Sequence, residues 1–192
     1  MKQRPLPIST RNTSYKVLLN TPLPVLGFAA FSGTGKTTLL KQVIPLLKAK
    51  GVRLGVIKHA HHEFDIDHRG KDSYELRKAG AEQMLIASSK RWALMVETPA
   101  QAEADLESLI HKLDHAQLDL ILIEGFKHVA YPKIELHRRT LGKAYLYPED
   151  KSIMAIAVDA PHAANHPLPV LDLNRPEQIT AYILKQVLNK SA

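Results

Sequence analysis

Apolar positions along this 192-residue chain fall alternately into short continuous runs and helical stripes, the pattern of an α/β protein. Val25 to Ala29 is a buried-strand run, and Leu39-Leu40-Lys41-Gln42-Val43-Ile44 reads as the helix after it. The spacing predicts that helix from about Lys36 to Lys48, with Gly51 as its C-terminal cap. Pro45 has no N–H for the ladder and is expected to kink it. Val52 to Ile57 is a second strand, parallel to the first if the crossover is right-handed. Asp72 to Ala79 reads as a short helix stopped at Gly80. Gln83 to Ala87 and Trp92 to Val96 flank Ser88-Ser89-Lys90-Arg91, so they read as a hairpin adding an antiparallel element to an otherwise parallel sheet.

Leu106, Leu109, Ile110 and Leu113 recur at helical spacing, which predicts a helix over about 101–115. Asp119 to Ile123 fits a central parallel strand with Glu124-Gly125 at its end; Ile134 to His137 and Ile153 to Val158 are further strands. In the closing helix Asn174 is the expected N-cap, Pro176 suits the first turn, Glu177 can reach back, and Ile179, Ile183 and Val187 share a face. Such an order gives a doubly wound α/β fold whose ligands sit at the carboxyl ends of the strands. Residues 1–20 read as a basic lead-in, partly ordered through Tyr15 to Leu19, and 21–192 as a single domain.

Between the first strand and its helix stands Ala30-Phe31-Ser32-Gly33-Thr34-Gly35-Lys36-Thr37-Thr38, a phosphate-binding loop in all but one position. The strand and helix around it are the setting this motif needs, so the fold class is α/β: a P-loop NTPase-like three-layer fold, mostly parallel, with an antiparallel hairpin. Gly33 and Gly35 permit positive φ, which lets successive N–H groups surround a phosphate at the positive end of the helix. Lys36 is placed to reach the β- and γ-phosphates, and the Thr37 hydroxyl to hold Mg²⁺. The departure is Ala30 where the motif has Gly; it costs ~1 kcal/mol if positive φ is needed there and almost nothing if not.

Glu124 stands where a second nucleotide-site carboxylate belongs, to bind Mg²⁺ through water or polarise an attacking water, with Gly125 allowing the backbone close to a γ-phosphate. The bland alternative is an acidic residue ending a strand. The polar stretch from Lys58 to Ser73 leaves the second strand; Asp65 or Asp67 can join the magnesium shell, and Lys58 or Lys71 can meet phosphate. His59, His61, His62 and His68 are suitable ligands for a transition metal, but their spacing matches no zinc module. No Asn-Lys-x-Asp signature for guanine is present, so the motifs leave the base open.

Composition narrows the setting. Hydrophobic residues at 45% and charged residues at 23% are ordinary for a globular protein. The absence of cysteine excludes disulfides and thiolate metal sites and fits a reducing cytoplasm. No apolar run has the length of a membrane span and the N-terminus does not read as a secretory signal, so the expected location is cytoplasmic, with no membrane partner. The net charge of +7 is scattered, without a basic helix or aromatic-interleaved basic sheet, and suits anionic nucleotides better than nucleic acid.

Most of residues 24–160 resembles the molybdopterin-guanine dinucleotide biosynthesis adapter proteins. The resemblance is carried by Ser32 to Leu40, Ile57-Lys58-His59 with the His/Asp-rich loop, Gly70-Lys71-Asp72-Ser73 with Ala79-Gly80-Ala81, and Glu124-Gly125-Phe126-Lys127. It implies a small homodimeric GTP-binding protein with at most slow GTPase activity. The family assists the guanylyltransferase that joins GMP, from GTP, to molybdenum-bound molybdopterin. Carried over, Gly33, Thr34, Gly35, Lys36, Thr37 and Thr38 bind phosphates and magnesium, and Glu124 and the Asp65 to Lys71 loop lie near the γ-phosphate. Joined to the reading of the residues themselves, the expected GTP site adds Ser32, Lys58 and Gly125, the expected Mg²⁺ shell is Thr37, Asp67 and Glu124, and Glu124 is the catalytic candidate. Two alternatives remain at this point: a metallocentre-assembly GTPase of the nickel-insertion type, motivated by the histidines, and a small-molecule kinase using Arg69, Arg77, Arg138 or Arg139.

Overall fold

The computed structural model describes residues 19–60, 64–98, 104–160 and 166–190. The chain forms two compact units, one comprising 1–59 with 105–192 and the other 60–104. The expected order in Tyr15 to Leu18 lies outside the described residues.

In the first unit β1 (Val25–Ala29) leads to α1 (Lys36–Ala49) and β2 (Leu54–Lys58). Among the described residues the sheet has six parallel strands, in the order β2, β5 (Leu120–Glu124), β1, β6 (Lys133–His137), β7 (Ile153–Val158), β8 (Val170–Asp172). Strand alternation places apolar side chains on both faces of the sheet. Leu26 and Phe28 of β1 with Leu120 and Leu122 of β5 meet α1 and α4 (Pro176–Gln186) through Leu40, Val43, Leu47, Ile179 and Ile183. Val25, Ile121 and Ile123 point the other way, onto Leu106 and Ile110 of α3 (Leu106–His111). Both faces of the central strands are therefore covered, which explains why β1 is apolar throughout and β5 is apolar up to Glu124 at its end.

Several element ends differ from the sequence expectation for local reasons. The predicted strand starts at Val52 and Asp119 are taken by a clamp: Arg53 donates through Nε and Nη2 to the Asp119 carboxylate at 3.1 and 2.8 Å, and its N–H also donates to Asp119. Helix α1 continues through Pro45 to Ala49, and Gly51 follows with φ of 74°. The helix predicted over 101–115 ends at His111; Asp105 caps its start by accepting from Ser108 N–H, Asp114 begins a separate 3-10 turn, and 101–103 lie outside the described residues. The expected cap of α4 is corrected. Asn174 N–H donates to Asp172, the cap position falls on Arg175 without a side-chain bond, and the reach-back comes from Gln178, which accepts from Asp172 N–H at 2.7 Å. Strand β8, three residues long, is too short to show a period.

The second unit holds α2 (Asp72–Lys78) and the hairpin β3 (Gln83–Ala87) with β4 (Trp92–Val96). The hairpin forms a two-stranded sheet of its own instead of joining the parallel sheet as the sequence suggested. Arg77 on α2 ties the unit together: Nη2 donates to both Asp65 oxygens at 2.6 and 2.8 Å, and Nη1 to Glu97 at 2.8 Å. That guanidinium, aided by the Asp67 N–H, holds the Asp65 carboxyl below its ordinary range.

The Arg53 clamp holds the Asp119 carboxyl down to about 2. A carboxylate whose folded value lies below its unfolded one stabilises the fold in full above the unfolded value, and that contribution is lost as pH falls toward the folded value. The urea-midpoint gap between wild type and Asp119→Asn is therefore expected to shrink between about pH 5 and pH 2. A gap that is constant over this range contradicts the clamp.

Candidate functional site

The parallel register brings three strand ends to one edge. Phe28 of β1 pairs with Glu124 of β5, and Lys58 of β2 pairs with Glu124 from the other side. Chain leaving β1 enters the Gly-rich loop here, so a carboxylate and a lysine from different strands lie beside it. Lys36 Nζ is 3.7 Å from Glu124 Oε1 and Lys58 Nζ is 3.9 Å from Oε2. The Glu124 side chain is 17% exposed and Lys36 20%, whereas Lys58 is largely open at 64%.

The loop itself has the backbone its spelling implies. Gly33 and Gly35 have φ of 80° and 96°, and Gly35 stands at the N-cap of α1 without any side-chain cap. The first-turn N–H groups of a helix have no intrahelical partner, so they face outward at the positive end of α1. Ser32, Gly33, Thr37 and Thr38 are exposed, which leaves the cradle accessible from solvent. Ala30 is not among the residues of positive φ, and it is buried in the core beneath the loop. The missing glycine therefore costs almost nothing. Thr34 plays a different part from its neighbours: it is buried, and its hydroxyl donates to Phe31 O at 2.8 Å. Arg138 Nε donates to Thr34 O at 2.8 Å across 104 residues of sequence, bracing the loop from beyond the end of β6. No local pattern could have announced that brace.

The turn after Glu124 is tightly built. Gly125 has φ of 103°, and a Cβ placed on it would stand 2.5 Å from the His59 Cβ. Close approach to His59 is thus a reason for glycine here, independent of any ligand. Phe126 takes φ of 51°, an unusual region for an aromatic residue, and stacks on the His59 ring at 4.6 Å between centroids. His59 N–H donates to Glu124 O at 2.8 Å, and the Tyr131 hydroxyl donates to Gly125 O at 2.6 Å. Burial pushes the Tyr131 phenol well above its ordinary value, which keeps it a donor.

The structure brings Lys36, Lys58 and Glu124 together, with Thr37 on the exposed first turn of α1. Asp67 belongs to the second unit, where one oxygen accepts from His68 N–H and the other is buried without a partner among the described residues. Among the described residues no group of three or more His, Asp or Glu side chains is arranged to hold a metal; His61 and His62 lie outside them. Nor, among the described residues, is any helix long and apolar enough to cross a membrane.

A parallel sheet with a glycine-rich loop between its central strand and first helix, and a lysine and a carboxylate at the same edge, defines a P-loop protein of the α/β class. Within that class the family is equally clear. Residues 25–159 match the family model described as molybdopterin guanine dinucleotide synthesis protein B, and the chain belongs to this family. It is 50% identical over 169 residues to the molybdopterin-guanine dinucleotide biosynthesis adapter protein of Escherichia coli (strain K12), covering 86% of this chain and 94% of that protein. The protein of the same description from Haemophilus influenzae is 42% identical, over 87% and 91% of the two chains. Among solved structures, Bacillus subtilis MobB superposes with a TM-score of 0.67 at 26% identity, covering 86% of this chain and 98% of that one.

Replacing Gly125 by Ala forces a Cβ against His59 at a positive φ. The variant is expected to lose about 1–3 kcal/mol, read as a lower urea midpoint at unchanged slope. An unchanged midpoint contradicts the close approach.

Proposed function

We propose that this chain binds GTP with Mg²⁺ on the loop from Ser32 to Thr38 and acts as the GTP-binding adapter of molybdopterin guanine dinucleotide biosynthesis. The observation that carries the reading is Lys36 and Lys58 flanking Glu124 beside an open, glycine-bent loop. The adapter role rests on relatives described as adapters of that synthesis, which this chain spans almost end to end. In this reading Gly33, Gly35, Lys36 and Thr38 hold the phosphates, with Ser32, Thr34, Lys58 and Gly125 around them. Thr37 would hold Mg²⁺, with the Glu124 carboxylate beside it at the same strand edge. Lys36 would exchange Glu124 for the β- and γ-phosphates, which would leave the Glu124 carboxylate free to polarise a water.

The partner is the guanylyltransferase that joins GMP to molybdopterin, and the chain presents GTP or a molybdopterin intermediate to it. Hydrolysis on its own is slow, because Arg138 is engaged with the loop backbone and a large acceleration needs a cation free to meet the transferring phosphoryl group. The setting is the cytoplasm. No observation favours the nickel-insertion or kinase alternatives over this reading.

The protein acts as a homodimer through the hairpin of the second unit. Pairing of Leu85 with Leu94 and of Ala87 with Trp92 puts Leu85, Trp92, Leu94 and Val96 on one face, with exposures of 59, 69, 45 and 49%. A two-stranded sheet with an open apolar face is marginal alone, and a second copy of the same face covers it symmetrically.

Two measurements test this reading. Calorimetry with GTP and ATP in Mg²⁺ is expected to favour GTP, with binding by Lys36→Ala falling below detection; equal affinity for both nucleotides counts against it. Sedimentation of the Leu85→Lys/Leu94→Glu variant is expected to show a monomer where the wild type is a dimer, and an unchanged mass rejects the hairpin interface.

A further inference from the structure

A second feature lies at the same sheet edge, beyond the phosphate loop. A cleft of about 310 Å³ opens at the carboxyl ends of β6 and β7, lined by His137, Arg139, Tyr145, Val158, Asp159 and His166. His137 and Tyr145 stack at 3.9 Å with their planes 21° apart, and His166 meets Tyr145 edge-on at 4.8 Å. Its volume is at the lower end for small-molecule sites and suits one fused bicyclic ring better than a whole nucleotide.

Its position ties it to the loop. Ala29 of β1 pairs with Glu135 of β6, and His137 of β6 pairs with Val158 of β7, so the cleft is two strand spacings, about 10 Å, from the strand that enters the loop. A ribose with its α-phosphate bridges such a gap. The segment between the two sites is packed on the loop as well. Arg138 braces Thr34, a Cβ on Gly35 would touch Arg138 Nη2 at 3.5 Å, and Lys143 Nζ lies 5.9 Å over the Phe31 ring.

Asp159 supplies the recognition chemistry. One oxygen accepts from Arg139 N–H at 3.1 Å; the other stands 4.0 Å from Arg138 Nη1, beyond hydrogen-bond reach. Among the described residues that oxygen keeps its lone pairs for a ligand. A carboxylate is matched by two adjacent donors on a ring edge, as in a 2-amino-4-oxopyrimidine, with a ring N–H beside an exocyclic amino group. Adenine turns an acceptor nitrogen to the same position and is rejected.

We propose that this cleft binds the 2-amino-4-oxopyrimidine edge of a fused bicycle, with Asp159 as the specificity-determining residue and the His137–Tyr145 stack as the wall against its face. Two sources carry this edge: the guanine of a nucleotide whose phosphates lie on the loop, and a pterin. The guanine source rests on the function proposed above, whereas the pterin source does not require a filled phosphate loop.

Calorimetry on the full chain separates them. With Mg²⁺, the wild type is titrated with GTP, with ITP, which lacks the 2-amino group, and with XTP, which carries an oxygen there. It is also titrated with 6-hydroxymethylpterin and with 6-hydroxymethyllumazine, which lacks the amino group. Loss of a hydrogen bond to a charged acceptor lowers affinity about tenfold or more. If guanine is the occupant, ITP binds at least tenfold more weakly than GTP, and Asp159→Asn, with a side chain that can donate, shifts the GTP-to-XTP ratio toward XTP by a similar factor. If pterin is the occupant, the pterin-to-lumazine ratio shows that loss and Asp159→Asn erases it, while the GTP-to-ITP ratio stays near one. The wild-type comparisons stand even if Asp159→Asn does not fold. Ratios near one in both wild-type series overturn the proposal. Absence of triphosphate binding by the wild type rejects the phosphate-loop reading and, with it, the guanine source, and leaves the pterin series to decide the cleft.

Discussion

The contact on which the site depends is the ion pair between Lys36 and Glu124, 3.7 Å apart at an edge set by strand register. An ammonium group at the mouth of a helix's positive end is poorly placed unless an anion is near. At about 4 Å and an effective dielectric near 20, Coulomb attraction amounts to roughly 4 kcal/mol, and loss of hydration of the two groups offsets much of it. A single carboxylate can therefore hold Lys36 in place without locking it there. On the binding proposed above, a polyphosphate would bring several charges and meet the outward N–H groups of the loop at the same time, and so would outcompete Glu124 for the ammonium.

Register is what makes this exchange possible. Strands β1, β5 and β2 end level with one another, and their adjacent pairing sets Glu124 beside both the phosphate loop and Lys58. The apolar faces that enforce this register lie on both sides of the sheet, where Leu26 and Leu122 meet the α1 and α4 layer while Ile121 and Ile123 meet α3. Beyond the strand ends, the turn through Gly125 and Phe126 is held by Tyr131 and His59 in a conformation that an aromatic residue seldom adopts. Packing distant from the loop thus fixes where its counter-charge stands.

Local chemistry made the centre of this arrangement legible in the sequence. The loop is a contiguous spelling whose φ requirements fall on Gly33 and Gly35, and continuous apolar runs mark β1 and β5 as central strands. What stayed hidden depends on residues distant in sequence. Arg138 braces Thr34 across 104 residues, and the Arg53–Asp119 clamp sits where the sequence placed the starts of two strands, which begin at Leu54 and Leu120. The hairpin was readable as a hairpin, yet alternation within two strands carries no information on which sheet they join, and these form their own. Near α4 the signal was ambiguous between neighbours: Asn174 and Glu177 have the cap chemistry, but the Asp172 turn shifts the reach-back to Gln178.

Whether Lys36 trades Glu124 for phosphate is decided by a crystal structure of the full chain with Mg²⁺ and a non-hydrolysable GTP analogue. The β-phosphate is expected within hydrogen-bond distance of the backbone N–H groups between Gly33 and Thr37, with Lys36 Nζ moved from Glu124 onto phosphate oxygens. An analogue bound elsewhere, with Lys36 still paired to Glu124, contradicts it.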